Sequence, residues 1–107
     1  MAFDVSTFSI WIFTIFQYLY LHLYFAIQNW PIYECKEIFE TLRPELLKLS
    51  VQKFSSNVIE KIIDLRDQET IIKYSHELNK PETLKILIKN NYGFYVLERI
   101  LNQCQNQ

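Results

Sequence analysis

The sequence predicts an all-α fold, an α-solenoid of short helices, and three observations predict it. Apolar residues fall at helical spacing in KFSSNVIEKII, where Val58, Ile59, Ile62 and Ile63 make one stripe. The stripe returns in NYGFYVLERIL as Val96, Leu97, Ile100 and Leu101, a step of 38 residues from Val58 to Val96. No stretch alternates apolar and polar residues over a length useful for a strand. Periods of about 20 to 50 residues belong to arrays in which each unit buries its apolar face against a neighbour. A chain of 107 residues has room for one small domain or for about three such units.

Residues 1–33 are set apart by composition. No formally charged residue lies between Asp4 and Glu34, and eleven of the seventeen aromatic residues precede Glu34. This segment is compatible with three assignments. The run Phe8 to Ile27, FSIWIFTIFQYLYLHLYFAI, has 20 residues, enough to cross a bilayer as a helix. Its Trp and Tyr content favours a membrane, while Gln17, His22 and the lack of a Lys or Arg flank before it argue against one. A cleaved signal peptide would need a basic start and a small-residue cleavage site. Alternatively, Tyr24, Phe25 and Gln28 end a degenerate repeat, and Pro31 breaks the helix where the stripe should continue. In the third assignment the first residues are foreign to the domain, as in a partial or misassembled coding sequence.

From Pro31 onward the pattern is of short helices with brief connections. ECKEIFETL places Ile38, Phe39 and Leu42 on one face, and Arg43 with Pro44 closes that helix and opens another. Leu46, Leu47 and Leu49 then face inward. A helix over 55–65 follows, with Ser55 or Ser56 as its cap. The next helix, Asp67 to Leu78, carries Ile71, Ile72 and Leu78; Pro81 to Lys89 carries Leu84, Leu87 and Ile88. Asn90 to Gly93 is the turn before the last helix, and Gly93 is the single glycine of the chain.

Chemistry of the enzymatic kind has little to stand on. Cys35 and Cys104 are isolated, with no Cys or His at zinc spacing, so both are expected as free thiols. His22 and His76 have no neighbours that suggest a triad, and no glycine-rich loop exists to hold a phosphate. Neither an enzyme nor a metal or other cofactor is expected. Net charge is −1 and the pI about 6.1, so bulk charge gives no support for nucleic-acid binding. All eleven Lys and Arg lie from Lys36 onward with ten of the twelve acids, about +1 for that part.

The polar side of the two stripes is more informative. Ser56 and Glu60, four apart, are expected one above the other, away from the apolar stripe, with Asn57 beside them. In the second copy Phe94, Tyr95 and Glu98 take those places. The segment LLKLSVQKFSSNVIEKII contains KFSSNVIEK, which resembles the recognition helix of a Pumilio-type (PUF) RNA-binding repeat. NNYGFYVLERIL resembles the last repeat of such an array, and the resemblance covers about Glu34 to Asn102. It implies that residues 34–107 are a partial Pumilio homology domain of about two repeats, reading single-stranded RNA one base per repeat.

Carried onto this sequence, the resemblance makes Ser56 and Glu60 the base-edge pair and Asn57 the stacking side chain. Glu98 is the matching edge residue of the last repeat, Tyr95 its stacking ring, and Tyr24, Phe25 and Gln28 the trio of a degenerate repeat. A carboxylate accepts hydrogen bonds from guanine N1–H and the N2 amino group, so Ser56 with Glu60 favours guanine. Phe94 departs from the family pattern, since it cannot hydrogen-bond a base edge. The step of 32 residues from Gln28 to Glu60 is also short for the family. The implied role is binding of UGU-type elements in mRNA 3′ untranslated regions in the cytoplasm, controlling translation or mRNA stability, with protein partners on the convex face. The alternatives are a small membrane-anchored helical protein and a helical protein-interaction scaffold without RNA readout.

Overall fold

The computed structural model describes residue 18 and residues 20–105. Among these, helix α1 covers 20–29 and stops where Pro31, with no amide proton to continue it, becomes the N-cap of α2 (Ile32–Leu42). A 3-10 turn at Arg43–Glu45 carries Pro44 in its first positions and leads into α3 (Leu46–Ser50). Helices α4 (Lys53–Asp64) and α5 (Gln68–Leu78) follow, the second capped by Asp67, whose carboxylate accepts from the Thr70 amide at 3.3 Å and hydroxyl at 2.6 Å. Helix α6 (Pro81–Lys89) starts on a proline, and α7 (Gly93–Gln105) is entered through a turn held by Asn90. The Asn90 Oδ1 accepts from the amides of Tyr92 and Gly93, both at 2.8 Å.

These helices form two three-helix units, α2–α3–α4 and α5–α6–α7. Each helix of the second unit packs on its counterpart in the first: α5 on α2, α6 on α3 and α7 on α4. Phe39, Leu46, Ile59 and Ile62 from the first unit meet Ile71, Tyr74, Leu87 and Val96 from the second in one core. Ile27 of α1 is buried in that same core, with Tyr20, Leu23 and Tyr24 packed at its edge. Gly93 allows α7 to come close to α6. Its backbone is not left-handed, but a Cβ there would lie 2.8 Å from Leu87 Cδ2 and 3.2 Å from Leu87 Cα.

The contact between units is polar at two levels. Inside, the Tyr74 hydroxyl donates to the Phe39 carbonyl at 2.8 Å, and burial pushes the phenol far above its ordinary pKa. Outside, α2 and the 3-10 turn after it are laced to α5 by Lys36 to Glu69 at 3.0 Å, Lys73 to Glu40 at 3.5 Å and Arg43 to Glu77 at 3.7 Å. Exposed pairs of this kind are screened by solvent and contribute little to stability. The buried bond matters more. Tyr74→Phe should keep the packing and remove the second bond that the Phe39 carbonyl accepts beside its helical one, lowering unfolding free energy by about 0.5–1.5 kcal/mol in urea denaturation. Equal midpoints for the two proteins would mean the buried hydroxyl contributes nothing net.

Several expectations need correction. Helix α4 begins at Lys53, with Gln52 in extended conformation as its N-cap, so Ser55 and Ser56 are helical residues and cap nothing. The Ser55 hydroxyl instead donates to the Leu49 carbonyl at 2.6 Å and is hydrogen-bonded to Tyr20 of α1. Ile72, Ile88 and Leu101, expected to face inward, are at least half exposed. The three line an open, mostly apolar cleft of about 620 Å³ formed by α5, α6 and α7 alone, and no other described helix covers it. Cys35 is a buried free thiol and Cys104 an exposed one. Most of the Phe8 to Ile27 run lies outside the described residues, and among these no helix is long and apolar enough to cross a membrane.

Candidate nucleic-acid interface

The last helices of the two units, α4 and α7, pack on each other, and α1 brings Tyr20 and Tyr24 to a cleft shared with them. Packing burns off one side of α4: Ser55, Val58, Ile59, Ile62 and Ile63 are buried, and Ser56 joins them at 2% exposure. Ser56 stands three and seven residues before Ile59 and Ile63, hence on their side of the helix. Its hydroxyl donates to the Lys53 carbonyl at 3.1 Å. The expected hydroxyl–carboxylate fork at the surface is therefore absent here, because Ser56 belongs to the edge of the core stripe and not to the polar face. Asn57 is exposed, with Phe54, Lys61 and Asp64 on the same side. Lys53 Nζ sits 5.4 Å from the centre of the Phe54 ring.

Glu60 is mostly enclosed, its side chain 17% exposed, at a cleft of about 300 Å³ between the three helices. Tyr20 and Tyr24 of α1, Asn57, Glu60 and Asp64 of α4, and Arg99 of α7 line that cleft. The Arg99 guanidinium bridges helices: Nη1 donates to Asp64 Oδ2, and Nε lies 3.6 Å from Glu60 Oε1. Burial pushes the Glu60 carboxyl above its usual pKa, Arg99 pulls it back in part, and Asp64 adds a smaller upward push. The bond to Asp64 raises Arg99 further, so this cation is permanent.

On α7, Tyr95 is exposed at the place that Asn57 holds on α4, and the Phe94 ring meets it edge-on, centroids 5.7 Å apart at 82°. Glu98 is exposed one turn on from Phe94. On α1, Tyr24 reaches the cleft, whereas Phe25 and Gln28 are exposed and do not line it. Arg99 is the residue that the sequence pattern left unnoticed. A signal existed: it stands 38 residues after Lys61, so both copies carry a cation in the same place.

An acceptor carboxylate, a fixed guanidinium and exposed flat side chains are suited to a planar, hydrogen-bonding ligand. The fold around them is all-α and repeat-like, with these groups on the last helix of each unit. Over 69 residues, 64% of the chain, the sequence is 36% identical to Pumilio homolog 12 of Arabidopsis thaliana. The chain spans 12% of that protein's length, and the similarity supports a Pumilio-like repeat. No family model and no solved structure matches.

Proposed function

We propose that the chain is part of a PUF-type α-solenoid that binds single-stranded RNA along α1, α4 and α7. The observation that carries this is the arrangement around Glu60: an acceptor in a cleft, with Asn57 and Tyr95 exposed at equivalent places on adjacent helices. Bases insert between such side chains, and stacking on a ring like Tyr95 contributes roughly 1–3 kcal/mol per base. Glu60 accepts from the N1–H and N2 amino group of guanine. Ser56 takes part only once its hydroxyl leaves the Lys53 carbonyl. Glu98 offers a second carboxylate beside Phe94, so the last repeat stacks a base and discriminates weakly. The target we favour is a UGU-type element in an mRNA 3′ untranslated region, bound in post-transcriptional control in the cytoplasm.

Competition binding of UGU against UUU RNAs tests this. Glu60→Gln should shift preference from guanine toward uracil by about 1–3 kcal/mol, by analogy with base-edge readout in DNA, because the amide donates where the carboxylate only accepts. The single substitution is the clean one, since enlarging the buried Ser56 would disturb packing. It should not weaken the fold at neutral pH. The Glu60 carboxyl titrates higher in the folded chain than in the unfolded one, so its ionised form opposes folding, a penalty relieved as pH falls through the raised pKa. If parent and variant give the same ratio of affinities, Glu60 does not read a base. Short RNAs should bind with micromolar or weaker affinity, as expected of so few base contacts.

A further inference from the structure

We propose that Arg99, supplied by the second unit, is the positioning residue that aims the Glu60 carboxylate into the cleft, so that base selectivity at α4 is set by two helices. The inference rests on Glu60 being the base-edge reader. Its basis is geometric. Arg99 is anchored through Nη1 to Asp64, one turn beyond Glu60, and its Nε lies at ion-pair distance, 3.6 Å, from Glu60 Oε1. A guanidinium is a planar fork, so fixing one edge fixes the other. Nε lies against one oxygen, Oε1, of the carboxylate, and the cleft that Glu60 lines is shared with Asn57 and Tyr24, where a base would enter.

The electrostatics of the cleft make this placement consequential. Residues 20, 21 and 24 of α1 bring no acidic or basic side chain, α3 contributes no group to the lining, and α4 itself supplies Asp64 and Lys61. From α7 come Arg99 and, acting on Arg99, Glu98. Enclosure and Asp64 both favour the protonated Glu60, and Arg99 opposes them. By favouring the ionised form, Arg99 acts in the direction that leaves both Glu60 oxygens as acceptors for guanine N1–H and N2.

The test is the pH titration of the Glu60 carboxyl by carbon NMR in the full chain without RNA, alongside UGU and UUU competition. Arg99→Gln should raise the Glu60 midpoint and reduce the guanine-to-uracil ratio about tenfold at neutral pH. Arg99→Lys, which retains charge but loses the fork, should bring the midpoint back toward that of the parent. Raising salt on the unaltered chain should move the midpoint upward as well, because a partly exposed pair is screened, and this arm needs no variant to fold. An unchanged midpoint in Arg99→Gln, or in salt if that variant does not fold, overturns the proposal. If the parent shows no guanine preference, RNA readout at Glu60 fails first and the role of Arg99 in selectivity falls with it. A midpoint shift in that case would mark Arg99 only as the partner of a buried acid.

Discussion

A chain cut to residues 34–107 should lose its cooperative melt. The cut removes Ile27, 1% exposed in the shared core, together with buried Ala26 and the flanking Tyr20, Leu23 and Tyr24. Full burial of one large apolar side chain contributes roughly 1.5–3 kcal/mol, so this set amounts to about 5 kcal/mol. Small domains have only about 5–15 kcal/mol in total. The cut also leaves Ser55 without Tyr20 and bares the first unit's outer side, leaving two units where about three are usually needed. Circular dichroism against temperature decides. A sharp melt of monomeric 34–107 above about 60 °C, within the usual range for intact domains, would mean α1 is dispensable.

Ile59→Ala should cost about 2–5 kcal/mol, the range for removing a large aliphatic side chain from a packed core. Ile59 has no exposed surface and lies on the face of α4 that points into both units. Two residues away, Asn57→Ala should change stability by less than about 0.5 kcal/mol, because its side chain is on the exposed face. Urea denaturation of the two variants is an internal comparison on one helix. If both move the midpoint equally, the assignment of inner and outer faces is wrong.

That division of α4 was only partly legible in the sequence. The stripe Val58, Ile59, Ile62 and Ile63 follows from spacing alone, and all four are buried. What spacing did not convey is how wide the buried side is. It extends to Ser55 and Ser56 because α1 and the neighbouring helices close over them, and a serine hydroxyl bonded to a backbone carbonyl is comfortable there. In the second unit the misjudgement runs the other way. Ile72, Ile88 and Leu101 have the spacing of core residues, but the side they occupy has no described neighbour. Local pattern reports that a residue is apolar, and tertiary packing decides whether anything covers it. Arg99 was missed for a related reason: Asp64 is 35 residues away, and only the stacking of α7 on α4 brings the two together.

The ion pairs between α2 and α5 have a consequence beyond their small individual energies. Along α2 and the 3-10 turn after it the signs run plus, minus, plus at Lys36, Glu40 and Arg43, and along α5 they run minus, plus, minus at Glu69, Lys73 and Glu77. Slide α5 one helical turn in either direction and like meets like. One slip sets Lys36 against Lys73 and Glu40 against Glu77; the other sets Glu40 against Glu69 and Arg43 against Lys73. The alternation works as a vernier, adding a charge penalty to misaligned dockings on top of the one that the packed core and the Tyr74–Phe39 bond already impose. Its reading is taken at the far edge of the molecule, where the same register brings Arg99 level with both Asp64 and Glu60.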